Sequence, residues 1–108
     1  MNSRVAWSEQ VENYLKGKAP GPRRDLLRAI KALADWDGRE NPPEIRHLED
    51  DLSGYSRLRV GPHRVVFRET AIANQRVILC LFAGPRNSVY ELFAELFLDE
   101  VSSRGKQK

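Results

Sequence analysis

The 108-residue chain has one cysteine and two histidines, and aromatic residues make up only 8% of it. The single thiol, Cys80 within VILCLFA, excludes an internal disulfide and fits a reducing compartment, where it serves as a small buried hydrophobe. His47 and His63 stand apart from each other and from that cysteine, so no metal-ligand spacing exists. Neither a glycine-rich phosphate loop nor a nucleophile elbow is present. No apolar run approaches the roughly 20 residues that span a bilayer, and MNSRVAWSEQ lacks the basic start and apolar stretch of a secretory signal. The expectation is a cytoplasmic protein with no membrane partner, no metal and no cofactor. At this length one domain is expected over residues 1–102, burying roughly 65% of its unfolded surface, followed by a polar tail at 103–108.

What is present is charge, and it is unevenly placed. Residues 1–54 and 90–108 are nearly balanced, whereas residues 55–89 carry six arginines against Glu69 alone. All of the excess is arginine, whose planar fork suits phosphate oxygens. The acidic run Glu49–Asp51 lies just before this segment and is a solvated surface or a source of counter-ions.

Periodicity places the elements. A strand at Arg4–Trp7 leads to Ser8 as the N-cap of a helix with Val11, Tyr14 and Leu15 on one face, ended by Gly17. After GKAPGP, Pro22 and Asp25 suit the first turn of a second helix bearing Leu26, Leu27, Ile30, Leu33 and Ala34, with Gly38 as its stop. RENPPEIRHLEDDLSG reads as a loop from which Ile45 and Leu48 dip into the core. From Tyr55 the period becomes two: Tyr55–Val60 and His63–Glu69 form a hairpin, TAIANQ a loose turn, and Arg76–Phe82 a third strand. A terminal helix, Tyr90–Val101, bears Leu92, Phe93, Leu96 and Phe97. The result is an α+β fold of order β-α-α-β-β-β-α, with an N-terminal helical pair and a C-terminal helix packed on one face of a small, mostly antiparallel sheet.

A two-residue turn at Gly61-Pro62 fixes the hairpin register. Val60 then faces His63, Arg59 faces Arg64, Leu58 faces Val65, Arg57 faces Val66, Ser56 faces Phe67 and Tyr55 faces Arg68. Leu58, Val60, Val65 and Phe67 share the core face with Ser56 and His63; Tyr55, Arg57, Arg59, Arg64, Val66 and Arg68 share the other. Placing Arg59 opposite Arg64 costs roughly 0.2–1 kcal/mol unless an anion lies between them. In FAGPRNSVY the chain leaves the third strand at Arg86 and reaches Tyr90 nearby. RNA can be cut without a metal when its own 2′-OH attacks the adjacent phosphate. Arginines can hold the backbone and stabilise charge there, while proton transfer falls to Tyr90, Tyr55 or a histidine.

The run LSGYSRLRVGPHRVVFRE, followed by FAGPRNSVYELF, resembles the RelE/ParE superfamily of toxin–antitoxin toxins. The element order agrees over nearly the whole chain, and the specific motifs lie within residues 52–90. The RelE-like branch implies a ribosome-dependent mRNA endoribonuclease, held harmless by a cognate antitoxin in a hetero-oligomeric complex. By position, Arg57, Arg64, Arg86 and Tyr90 match the catalytic set of that branch. Tyr55, Arg59, Arg68 and His63 are expected to contact RNA or its phosphates. Tyr55 stands where the best-known nuclease has lysine, His63 and Phe67 where tyrosine is usual, and Pro85 where histidine is usual. Two alternatives use the same fold: a gyrase inhibitor of the ParE type, and a non-catalytic RNA-binding module.

Overall fold

The computed structural model describes residues 3–98. The expected boundary at 102, the tail at 103–108 and the helix end at Val101 lie outside the described residues. Strand β1 (Arg4–Trp7) runs into helix α1 (Glu9–Lys16) through Ser8. The Ser8 hydroxyl accepts from the Val11 amide at 3.2 Å and donates to the Leu81 carbonyl at 2.8 Å. One side chain thus caps the helix and ties it to the sheet. Helix α2 (Pro20–Ala32) starts two residues earlier than Pro22, because Pro20 itself occupies the first helical position. It tightens into a 3₁₀ turn at Leu33–Asp35 and gives way to extended backbone at Trp36, so Gly38 is not its cap. Gly38 is needed for another reason. Its φ is +79°, and a Cβ there would lie 2.9 Å from Arg76 Nη2.

Strand β2 (Ile45–His47) falls within the segment read as a loop. Three residues are too few to show a period, and the flanking prolines and acids dominate the local pattern. Strands β3 (Ser56–Val60), β4 (His63–Ile72) and β5 (Gln75–Pro85) complete a five-stranded sheet of order β1-β5-β4-β3-β2. The β1–β5 pair is parallel and the other neighbours are antiparallel. The Gly61-Pro62 turn and the expected pairs from Val60–His63 to Ser56–Phe67 are present, with Gly61 at φ +58°. Tyr55 precedes β3 and does not pair with Arg68. TAIANQ is no loose turn: β4 and β5 extend toward each other and meet at Ala73-Asn74, both at positive φ, as in a type I′ hairpin.

The sheet has a core on each side, so the helices do not all share one face. Val11 and Leu15 of α1 and Leu26 and Ile30 of α2 pack with Leu58, Val65, Phe67, Ile78 and Cys80. On the reverse face Val66 and Phe82 meet Val89 and Phe93 of helix α3 (Val89–Phe93), which continues as a π-helical turn, Ala94–Leu98. A bulge makes this possible. Val66 pairs with Phe82 but Phe67 pairs with Cys80, leaving Leu81 as the extra residue, so that Leu81 and Phe82 both reach the second core. Beyond the end of β1 the exposed edge of β5 is covered by α1. The Gln10 side-chain amide donates to the Ala83 carbonyl and its oxygen accepts from the Ala83 amide, both at 2.7 Å.

Candidate phosphate-binding site

The hairpin turn and the end of β5 bring the site together. Arg59 pairs across the sheet with Arg64, and Arg64 with Gly84. The Arg86 amide donates to the Pro62 carbonyl at 2.9 Å, fastening the segment after β5 to the hairpin tip. The half-buried Tyr90 then follows from the first turn of α3, packed against the second core. Arg64 is the centre of this arrangement. Its Nη1 donates to the Gly61 and His63 carbonyls at 2.7 and 2.9 Å, which holds the side chain over the turn.

The electrostatics show which groups are close. Partial burial holds the Arg64 guanidinium below its ordinary range; the Tyr90 phenol opposes this, and the charges of Arg57, Arg59 and Arg86 add to it. Arg57, Arg59, Arg86 and Tyr90 are the groups whose fields reach Arg64, in keeping with Arg59 directly opposite it and the Arg86 amide tied to the hairpin tip. Arg57 has a loose 3.4 Å contact from Nη2 to the Pro43 carbonyl, while its Nε is buried with no partner among the described residues. The acidic run does not neutralise the face. Asp50–Leu52 forms a 3₁₀ turn whose two aspartates are exposed, and the ion pair found among the described residues, Arg76–Glu69, is elsewhere. A concentration of guanidinium groups with no ion-pair partner among the described residues is suited to a polyanion.

Three expected members lie apart from this arrangement. His63 lies on the α1 side of the sheet, its Nδ1 2.8 Å from the Tyr14 hydroxyl and its ring edge-on to Tyr14, so its imidazole is engaged with Tyr14 while its carbonyl accepts from Arg64. Burial, then Lys18 and Arg64, push its pKa down. Tyr55 packs edge-on against Phe93, with ring centroids 5.0 Å apart, as part of the second core. Arg68 is on the basic face but four residues along β4 from Arg64, about 13 Å away. Arg76, counted with the arginine excess, is a structural clamp. It pairs with Glu69 at 3.0 Å, donates to Ser3 Oγ and the Trp36 carbonyl at 2.6 Å, and lies over the Trp36 ring. Sequence reasoning also missed Arg46, which β2 places directly opposite Arg57. No local signal marked it, since β2 is three residues long and of these only Ile45 is buried.

No sequence-family model matches the chain, and no curated protein does so significantly. Solved structures do. The chain is similar to a chain of the toxin–antitoxin complex RelBE2 from Mycobacterium tuberculosis, with 17% identity, TM-score 0.63, and coverage of 80% of this chain and 93% of that one. It is similar also to a chain of the archaeal RelE–RelB complex from Pyrococcus horikoshii, with 25% identity, TM-score 0.61, and coverage of 80% and 97%. The chain has the RelE/ParE-like toxin fold. The YoeB/ParE toxin from Agrobacterium tumefaciens shares it, at 14% identity and TM-score 0.60 over 77% of this chain and 98% of that one. Relative to the element order read from the sequence, this RelE/ParE-like chain carries β2 as an additional edge strand. Among the described residues no helix is long and apolar enough to cross a membrane.

Proposed function

We propose that the chain is the toxin of a type II toxin–antitoxin pair, a cytoplasmic, ribosome-dependent mRNA endoribonuclease neutralised by a cognate antitoxin. The observation that carries this reading is the cluster of Arg57, Arg59, Arg64 and Arg86 beside Tyr90. In such a site the 2′-hydroxyl of the bound RNA loses its proton to water as its oxygen attacks the neighbouring phosphorus, and the bond to the 5′-oxygen breaks. The products are a 2′,3′-cyclic phosphate and a 5′-hydroxyl. Arg64 and Arg86 stabilise the charge that builds on the phosphoryl oxygens, and Arg57 and Arg59 hold the backbone in line. Tyr90 gives a proton to the departing 5′-oxygen. The His63 imidazole is engaged with the Tyr14 hydroxyl on the α1 side of the sheet, so no histidine is assigned the role of base. Slow turnover on free RNA is expected, and the ribosome positions the substrate. The solved complexes of RelBE2 and of RelE with RelB favour an antitoxin as the resting partner.

Induction of the chain alone, followed by mapping of mRNA 5′ ends and an assay of supercoiling, tests this reading. Growth arrest with cleaved transcripts is expected, relieved by Arg86→Ala and by Tyr90→Phe. Unchanged toxicity in both variants would remove the residue assignments. Intact transcripts with a DNA-damage response would instead indicate a gyrase inhibitor. Salt-sensitive RNA binding without arrest or cleavage would indicate a binding module.

A further inference from the structure

The basic face does not end at the hairpin. Strand β2 sets Arg46 directly opposite Arg57, and directly opposed residues project from the same side of a sheet. Two like-charged cross-strand pairs, Arg46–Arg57 and Arg59–Arg64, therefore lie side by side. With Arg86 after β5, guanidinium groups come from the whole width between β5 and β2, about 14 Å across the strands. The surroundings restrict where a polyanion can go. On the β4–β5 side α3 covers the sheet through Val89 and Phe93. Beyond Tyr55 the surface is closed by Leu48 and Leu52, with the acidic run Glu49–Asp51 next to them. Among the described residues the exposed Arg46 lies on the remaining side, beyond Arg57 at the β2 edge.

We propose that Arg46 grips a phosphate of single-stranded RNA away from the reacting phosphodiester, so that the strand leaves the site across the β2 edge. This rests on the nuclease reading above and adds the path of the substrate to it. Arg46 is a binding residue and takes no part in bond breaking. Its removal weakens binding through the loss of one phosphate contact, with a corresponding loss of counter-ion release.

The test is fluorescence anisotropy of the full chain with a single-stranded 2′-O-methyl RNA 12-mer, which lacks the attacking hydroxyl, over a series of KCl concentrations. The plot of log K against log salt is expected to become shallower by about 0.7 in Arg46→Ala and in Arg57→Ala. Arg46→Lys should keep the slope of the parent chain, and so should Arg24→Ala, a control on exposed α2. Matching thermal midpoints establish that the variants fold, and the lysine variant keeps the comparison usable if the alanine variant does not. A parental slope in Arg46→Ala beside a reduced slope in Arg57→Ala would overturn the proposal and leave the nuclease reading standing. An equal loss in Arg24→Ala would mean diffuse attraction and would overturn it too. Failure of the parent chain to bind the RNA would overturn this proposal, whereas the nuclease reading is judged separately by the transcripts cleaved on induction.

Discussion

Gln10 gives the sharpest test of how the site is held in place. Its amide makes both hydrogen bonds that a continuing β1 would have made to Ala83, at 2.7 Å each, and Ala83 is 2% exposed. Gln10→Ala leaves a backbone donor and acceptor unsatisfied at the edge of β5. Each costs about 1–3 kcal/mol when buried; both bonds are part-buried and water can partly replace them, so the low end applies, about 2 kcal/mol in all. For a domain of this size that lowers the thermal midpoint by about 8–16 °C. Gln10→Glu separates hydrogen bonding from packing. An ionised carboxylate can accept from the Ala83 amide but cannot donate to its carbonyl, so folding raises the pKa of the new group. A carboxyl raised in this way contributes stability while protonated, and that contribution is lost as pH rises through its folded pKa. The glutamate variant should therefore lie closer to the parent at pH 4 than at pH 7. Thermal and urea unfolding of the full chain measure both effects. A Gln10→Ala chain within about 0.5 kcal/mol of the parent would refute the assignment of this clamp.

Two further predictions concern the turns. Folding lowers the pKa of His63, so stability should be full above about pH 6.5 and fall as pH drops below it. His63→Asn should flatten that part of the urea-midpoint profile between pH 7.5 and 5.5, and an unchanged profile would move the effect elsewhere. Ala73 adopts a φ of 53°, which a side chain disfavours, so Ala73→Gly should raise stability by about 0.5–1 kcal/mol. A lowered urea midpoint for that variant would contradict the type I′ turn.

The hairpin was legible because Gly61-Pro62 is a strong turn signal and every pair through Ser56–Phe67 follows from it by counting. The same counting placed Val66 among the arginines without showing why an apolar residue belongs there. The answer is a second core under α3, and α3 is short and folds over a bulge that no local pattern marks. Ala73-Asn74 was hidden for a related reason: alanine gives no hint of positive φ, and the extended strands enforce it. The charge count over residues 55–89 included Arg76 without distinguishing its role, and contacts with Ser3, Trp36 and Glu69, distant from it in sequence, commit it to the fold. Within the basic cluster, Arg57, Arg59 and Arg64 were readable from alternation. The approach of Arg86 depended on the Arg86–Pro62 backbone bond.

The parallel pairing of β1 with β5 bears on when this protein can come into being during its own synthesis. Arg4–Trp7 find their partners only at Val77–Cys80, so the first strand must wait for the last to leave the ribosome. Until then the helices beside β1 have only part of the sheet to pack on, and the segment carrying Arg86 and Tyr90 has not yet emerged. Sheets closed by such distant pairing also fold slowly. A nascent chain of this kind passes through an interval in which it is largely made and has no assembled basic face, and a partner translated nearby could meet it in that interval.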